Sequence, residues 1–126
     1  MREIKFRGKR LDNGGWVYGD FTRRKSRYAP QLDTTYGISD EFGTFRAVDQ
    51  STVGQFTGLC DKDGREIYEG DIIKYHPEAN AGIGRVIYIG SGFYVTDEFN
   101  GLLDSFAQMG IEVIGNIYDN PELLSN

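Results

Sequence analysis

Apolar and polar residues alternate with a period of two along several short stretches of the chain, which is typical of half-buried β-strands. Over residues 2–7, Ile4 and Phe6 alternate with charged residues, so this segment is predicted to form the first strand. The sequence Asp-Asn-Gly-Gly at residues 12–15 is a hairpin turn signal, and residues 16–22 are predicted to return as the second strand. Amphipathic helical stripes are absent, so the predicted fold is mainly β with little helix.

The stretch from residue 52 to residue 75 has the clearest β-hairpin pattern of the chain. β-Branched and aromatic residues over 52–59 predict a strand. A turn at residues 61–64 follows, where Gly64 is free to adopt a positive φ, and residues 71–75 are predicted to form the next strand. Further strands are predicted at regular spacings, over residues 85–89, 93–96 and 111–118. This series of short strands predicts a small closed or nearly closed barrel between residues 52 and 118.

These patterns predict two β subdomains that share a core, the first over residues 1–50 and the second over residues 51–126. Residues 23–27 are basic and lack apolar periodicity, so an exposed loop is predicted there. Near the C-terminus, Asn120 precedes Pro121 and Glu122, an order that favours the first turn of a helix. A short helical turn is therefore predicted to end the second subdomain.

Charge is segregated along the chain, although the net charge is only −5. Residues 1–32 contain nine Lys or Arg and three Asp or Glu, a net charge of +6. Residues 33–126 contain five Lys or Arg and sixteen Asp or Glu, a net charge of −11. The basic segment can attract the acidic part of its own chain, the acidic part of another copy, or an external polyanion. The negative overall balance favours the first two.

Basic residues near the N-terminus are interleaved with aromatic residues, as in many proteins that bind single-stranded nucleic acid. The possible contact residues for nucleic acid or another partner are Arg7, Lys9, Arg10, Trp16, Arg23, Arg24, Lys25, Arg27 and Tyr28. In the alternative interpretation the aromatic rings belong to the core, and the acidic remainder of the chain repels phosphates.

No residue pattern indicates catalysis, a cofactor or a metal site, so the protein is predicted not to be an enzyme. Cys60 and His76 are the only thiol and the only imidazole, and nothing in the sequence orients the histidine for a nucleophilic pair. If Gly64 is aligned with the glycine of an EF-hand loop, Leu59 and Gly70 occupy the first and last ligand positions, so the calcium pattern fails. A lone cysteine favours a reducing cytoplasm, and no segment is long and apolar enough to predict a membrane span.

Five motifs give this sequence a resemblance to the YopX-like proteins, which are small proteins encoded by phages and prophages. The motifs are REIKFRGK at residues 2–9, WVYGDF at 16–21, TVGQFTGL at 52–59, DKDGREIYEGDIIKY at 61–75 and IEVIGNIYDNPELL at 111–124. The resemblance implies a β-rich fold, an SH3-like barrel in the second half of the chain, self-assembly, and no established biochemical function. It supplies no catalytic residues.

Residues and resemblance together predict a non-enzymatic phage or prophage accessory protein in the cytoplasm of the bacterial host. We expect a self-assembling binding module, a homo-oligomer that also contacts an unidentified protein partner. The alternative is a nucleic-acid-binding protein that uses the basic and aromatic N-terminal hairpin. Part of residues 1–32 is expected in the oligomer interface, with Trp16, Phe21 and Tyr28 at its apolar centre.

Overall fold

β-Strands make up most of the computed structural model, which describes residues 3–25, 34–75, 82–90, 92–97, 101–103 and 110–124. Within these residues the strands β1 to β10 are, in chain order, Phe6–Arg10, Trp16–Lys25, Thr34–Ser39, Phe45–Cys60, Glu66–Tyr68, Asp71–Tyr75, Gly82–Ile89, Gly92–Asp97, Gly101–Leu102 and Glu112–Asn116. A 3-10 helix over Pro121–Leu124 lies where the sequence predicts a helical turn. The predicted mainly β fold is therefore confirmed. No helix among the described residues is long and apolar enough to cross a membrane.

The chain divides into an N-terminal unit, Met1–Gln55, and a C-terminal unit, Phe56–Asn126. The N-terminal unit is built from β1, β2, β3 and the first part of β4, which pair as antiparallel neighbours in that order. Because β1 also pairs with β4, the four strands form a closed barrel. Closure gives each strand a partner on both sides over part of its length, which shortens the free edges at which sheets associate.

Inward-facing side chains from all four strands fill the core of the N-terminal unit. The buried residues are Val17, Ile38 and Val48, and the partly buried Phe6, Phe21, Tyr36 and Val53 pack against them. The ring centres of Phe6 and Phe21 are 5.8 Å apart, and the Phe21 ring stacks on Tyr36 at 6.0 Å. Phe21 is thus held by the core of its own chain, rather than presented at the centre of an interface as the sequence analysis expects.

Two N-terminal segments differ from their predicted structure. β1 begins at Phe6 rather than at residue 2, because pairing with β2 and β4 begins only there. Ile4, expected on the same buried face as Phe6, is 66% exposed. Residues 23–25, predicted as a loop, extend β2 and pair with β3. Backbone pairing with β3 stabilises this strand although its side chains show no apolar alternation.

β4 is one continuous strand of 16 residues, whereas the strand predicted from the sequence in this region covers only residues 52–59. Its register against β1 shifts between Arg7 and Lys9, which marks an irregularity in the pairing. The Thr52 hydroxyl secures this point. Its Oγ1 accepts a hydrogen bond from Lys9 N at 2.9 Å and donates one to Asp49 O at 2.6 Å.

In the C-terminal unit, the end of β4 pairs with β5, and a five-stranded antiparallel sheet has the order β10-β6-β7-β8-β9. The hairpin predicted for residues 85–96 is confirmed as β7 and β8. The core consists of Ile67, Ile73, Tyr75, Val86, Phe93, Val95, Leu103, Ile111 and Val113. The closed ring described above lies in strands of the N-terminal unit, and an SH3-like form for residues 51–126 stays a prediction.

Asp61, in the turn after β4, is a buried carboxylate that accepts three backbone hydrogen bonds. The donors are the N–H groups of Asp63 at 2.9 Å, Arg65 at 2.8 Å and Val113 at 3.0 Å. Gly64 in the same turn has a φ of 84°, as its position in the turn predicts. Asp61 therefore ties this turn to β10, and turn chemistry explains the acidic motif better than calcium binding does.

Candidate interaction surface

Cationic side chains contact Trp16 on the outer face of β1 and β2. Lys9 is the cross-strand partner of Trp16, and Arg7 is the partner of Tyr18, so all four lie on one face of the sheet. The Arg7 guanidinium is 4.6 Å from the centre of the Trp16 ring, and Lys9 Nζ is 5.6 Å from it. Three of the predicted contact residues are thus brought together. However, Arg7 is only 6% exposed, and the cations of the protein itself already contact the ring.

Arg10, at the end of β1, is engaged by Asp12 in the following turn. Its Nε and Nη2 atoms donate hydrogen bonds to the two carboxylate oxygens at 3.0 Å and 2.6 Å. The hydrogen bond from Arg10 lowers the pKa of Asp12, although the carboxyl is fully exposed. The bidentate pair fixes the planar guanidinium of Arg10 on its own turn. Of the other predicted contact residues, Arg27 and Tyr28 lie outside the described residues.

Three exposed basic residues form the end of β2, and we call them the basic ribbon: Arg23, Arg24 and Lys25. They pair with the first residues of β3. The Arg24 guanidinium lies 4.0 Å from the centre of the Phe45 ring on β4. Phe45 in turn lies across Gly37 of β3, where any side chain would collide with the ring. The absence of a side chain at Gly37 therefore leaves room for the Phe45 ring, and the ring positions Arg24 on the surface.

A shallow groove of about 300 Å³ lies beside Phe45, and we call it the leucine groove. Leu11, which is 65% exposed, lines it together with Phe45, Arg10 and Arg46. Arg46 Nε is 3.8 Å from a carboxylate oxygen of Asp40. Asp12, paired with Arg10, also lines the leucine groove, so with the neighbouring Arg24 the surface has an apolar centre and a charged rim that contains more arginines than carboxylates.

A larger groove, about 580 Å³ in volume, lies between β2, the turn that joins β3 to β4, and residues 3–5. Five apolar or aromatic residues line it: Ile4, Trp16, Val17, Tyr18 and Phe42. Phe42 is 84% exposed and Tyr18 is 45% exposed. The backbone N–H of Phe42 donates a hydrogen bond to Asp40 Oδ1 at 2.9 Å, which fixes the turn that carries the ring. Sequence reasoning missed this groove, because its parts come from three separate segments.

Carboxylates dominate the charge of the larger groove, and we therefore call it the acidic groove. Of the described residues that line it, four are acidic, Glu3, Asp20, Asp40 and Glu41, and one is basic, Lys5, which gives these residues a net charge of −3. Lys5 Nζ lies 3.8 Å from the Glu3 carboxylate, and Asp40 contacts Arg46. Within the described part of the chain, Asp20 and Glu41 are exposed and have no ion pair. The acidic groove thus holds two uncompensated negative charges beside exposed aromatic rings.

Gly19 on β2 forms part of the wall of the acidic groove. Its φ of 154° is rarely adopted by residues with a side chain, and a Cβ at this position would collide with the carbonyl oxygen of Ser39. Glycine therefore allows β2 and β3 to approach closely at the point where the groove begins.

Metal-binding and nucleophilic groups are the remaining candidate sites from the sequence. No cluster of three or more His, Cys, Asp or Glu among them is arranged to hold a metal ion. Cys60 is a free, exposed thiol at the end of β4. His76, the other member of the only conceivable nucleophilic pair, lies outside the described residues.

Fold and surface define a small, mainly β protein of two units, one of them a closed four-stranded barrel with charged and aromatic grooves. Residues 5–125 match the family described as YopX protein, so the chain belongs to the YopX family, and the resemblance seen in the sequence is confirmed. The structure is also similar to the crystal structure of protein EF1440 from Enterococcus faecalis. The two share 26% sequence identity over 99% of this chain and 100% of that chain, with a TM-score of 0.57. The search of curated proteins found no match.

Proposed function

We propose that this protein is a non-enzymatic interaction module that self-associates, and that it serves as a phage or prophage accessory protein in the cytoplasm of the host bacterium. The observation that carries the proposal is the surface formed by the leucine groove and the basic ribbon. Leu11 is largely exposed and lines the groove with Phe45, and the charged residues there are Arg10, Arg46 and Asp12, with Arg24 over the Phe45 ring. An exposed apolar centre with a polar rim is the usual anatomy of a protein–protein interface.

The segregated charge supports self-association as the use of this surface. Residues 1–32 carry a net charge of +6 and residues 33–126 a net charge of −11, so the basic ribbon of one copy attracts acidic surface of another. Exposed ion pairs contribute only about 0–1 kcal/mol each, so charge alone produces a weak, salt-sensitive contact. The leucine groove supplies the apolar centre that a stable contact needs.

Light scattering at micromolar concentration tests the proposal on the full chain. We expect an oligomer at low salt, and a shift towards monomer when the basic ribbon is reversed by Arg23→Glu, Arg24→Glu and Lys25→Glu. Leu11→Asp should have the same effect, because it puts a charge at the apolar centre. Arg85→Glu is the control, since it reverses one exposed cation on β7, outside this surface. A wild-type protein that is monomeric at both low and high salt contradicts self-association.

Nucleic-acid binding through the basic ribbon is the second candidate function. It is favoured by three consecutive exposed cations, one of which, Arg24, lies 4.0 Å from the centre of the Phe45 ring, because single-stranded nucleic acid binds to cations and aromatic rings together. Titration of fluorescent single-stranded DNA at two salt concentrations tests it. Salt-sensitive binding that is lost when the basic ribbon is reversed supports this function, and no binding at low salt excludes it.

We also propose the finer fold assignment, an N-terminal hairpin subdomain and an SH3-like barrel over residues 51–126. The hairpin assignment is supported by the antiparallel pair β1–β2. The SH3-like assignment is supported by short antiparallel strands that follow one another from β6 to β9, and by the return of β10 to β6. A crystal structure of the full chain tests it, because a barrel requires further pairing at the edge strands β9 and β10.

A further inference from the structure

We infer that the acidic groove binds one extended, cationic segment of a partner protein, a segment in which Lys or Arg side chains alternate with apolar ones. The inference rests on the proposed function as an interaction module and names the partner chemistry of a second surface.

The apolar lining of the acidic groove provides the anchors. Phe42 projects from the turn between β3 and β4 with 84% of its surface exposed, and Ile4 and Tyr18 are also largely exposed. Single exposed apolar residues are common, but several gathered in one groove mark a binding site. The volume of about 580 Å³ lies within the range typical of ligand sites.

Charge selects the occupant of the acidic groove. The described residues of its lining carry a net charge of −3, which repels a polyanion and attracts cations, and among them Asp20 and Glu41 have no ion pair. A Lys or Arg side chain has an aliphatic stem that covers apolar surface and a cationic head that reaches carboxylates. Such side chains therefore match both the rings and the carboxylates of the acidic groove.

The size of the acidic groove favours a single extended chain over the basic ribbon of a second copy. The basic ribbon is paired with β3, so it would have to enter as two strands about 5 Å apart together with their side chains. Arg24 is also held over the Phe45 ring of its own chain. Neither constraint applies to an unpaired segment of another protein.

Fluorescence anisotropy with short synthetic peptides tests the inference on the full-length protein. The probe is a fluorescein-labelled peptide of alternating lysine and leucine, and the control peptide alternates glutamate and leucine. We expect binding of the lysine peptide only, and affinity about tenfold lower for Phe42→Ala and for Glu41→Lys. Leu102→Ala and Glu122→Lys are matched controls, because both residues are exposed and neither lines the groove. These two variants should bind the lysine peptide as the wild type does.

Three outcomes overturn the inference: no binding of the lysine peptide, equal binding of both peptides, or equal affinity of the groove variants and their controls. A lysine peptide that dissociates a wild-type oligomer assigns the groove to a second copy instead of a partner protein. Light scattering on the same samples separates this test from that of self-association. A monomeric wild type that binds the lysine peptide refutes self-association alone, and an oligomer that does not bind it refutes the groove inference alone.

Discussion

Replacement of Asp61 by alanine should destabilise the fold more than any other single change to an exposed or polar residue considered above. The substitution removes the acceptor of three N–H groups, two in the turn after β4 and one at Val113 on β10. Val113 is buried, so its N–H group loses its partner where water has little access. The turn and β10 then lose the carboxylate that joins them.

The magnitude follows from the three hydrogen bonds. A hydrogen bond to a charged group contributes about 1.5–3 kcal/mol, and the two donors in the turn can recover part of this from water. We therefore expect Asp61→Ala to lower the free energy of unfolding by about 3–5 kcal/mol, a large part of the total of about 5–15 kcal/mol typical of a domain. Asp61→Asn keeps one carbonyl oxygen but turns an NH₂ group towards a donor, and it should cost about 2 kcal/mol.

Urea unfolding followed by circular dichroism measures these changes. With a slope of about 2 kcal/mol per M, Asp61→Ala should lower the midpoint by about 2 M. Asp63→Asn is the matched control, because the Asp63 carboxylate pairs with Lys62 on the surface at 3.7 Å and should contribute less than about 1 kcal/mol. If the free energy of unfolding of Asp61→Ala lies within about 1 kcal/mol of the wild-type value, the Asp61 carboxylate does not hold the turn to β10.

The pH dependence of unfolding gives an independent check on Asp61. Burial raises its pKa, but hydrogen bonds from Val113, Arg65 and Asp63 and the charge of Arg65 outweigh burial, so the pKa lies below the ordinary 3.8. A carboxyl with a lowered pKa stabilises the fold above its unfolded pKa, and this contribution disappears as the pH falls through the folded pKa. The stability difference between wild type and Asp61→Asn should therefore be constant near neutral pH and shrink below pH 3.8. A difference that stays constant in acid contradicts the role of the charge.

Two further substitutions test other parts of the fold. Gly19→Ala should lower the free energy of unfolding by about 2–4 kcal/mol, because the new Cβ meets the Ser39 carbonyl and the backbone is strained. Gly14→Ala, at a residue with a φ of 72° and open space around it, should lower it by only about 1 kcal/mol. Equal losses for the two variants in urea unfolding contradict the steric argument. Thr57→Val should lower the free energy of unfolding by about 1–3 kcal/mol, because it removes a buried hydroxyl that donates to Ile67 O at 2.8 Å and accepts from Leu59 N at 3.2 Å. An unchanged melting temperature for Thr57→Val shows that the hydroxyl is dispensable.

Local signals in the sequence predict those parts of the fold that neighbouring residues determine. The turn at residues 61–64, the β7–β8 hairpin and the helical turn at Pro121–Leu124 depend on residues close together in sequence, and all three are present. The closure of the barrel depends on β1 meeting β4, where Phe6 pairs with Gln55. No local pattern specifies a pairing between residues so far apart, so the sequence places a barrel only after residue 52.

The candidate surfaces divide in the same way. Arg7, Lys9 and Trp16 are neighbours across one hairpin, so the turn between them predicts their contact. The acidic groove combines Glu3, Asp20 and Glu41 from three segments that only the folded barrel brings together. The one sequence signal for it is the acidic turn that contains Phe42, an aromatic residue with no strand pattern around it. The acidic turn in the sequence predicts an exposed Phe42 ring, but it does not predict the groove beside the ring.

The side chains of the acidic groove determine how salt acts on a bound partner. Exposed rings and carboxylates both line the groove, which runs along Trp16–Asp20 of β2. The rings offer apolar contacts, and the carboxylates offer charged ones. Rings and charges respond differently to salt, because only the charged contacts are screened. Added salt should therefore lower the peptide affinity of the Phe42→Ala variant more than that of the Glu41→Lys variant. Phe42→Ala retains all the carboxylates of the groove, whereas Glu41→Lys has lost one of them. The opposite order indicates that the peptide is held by the rings and not by the charge of the groove.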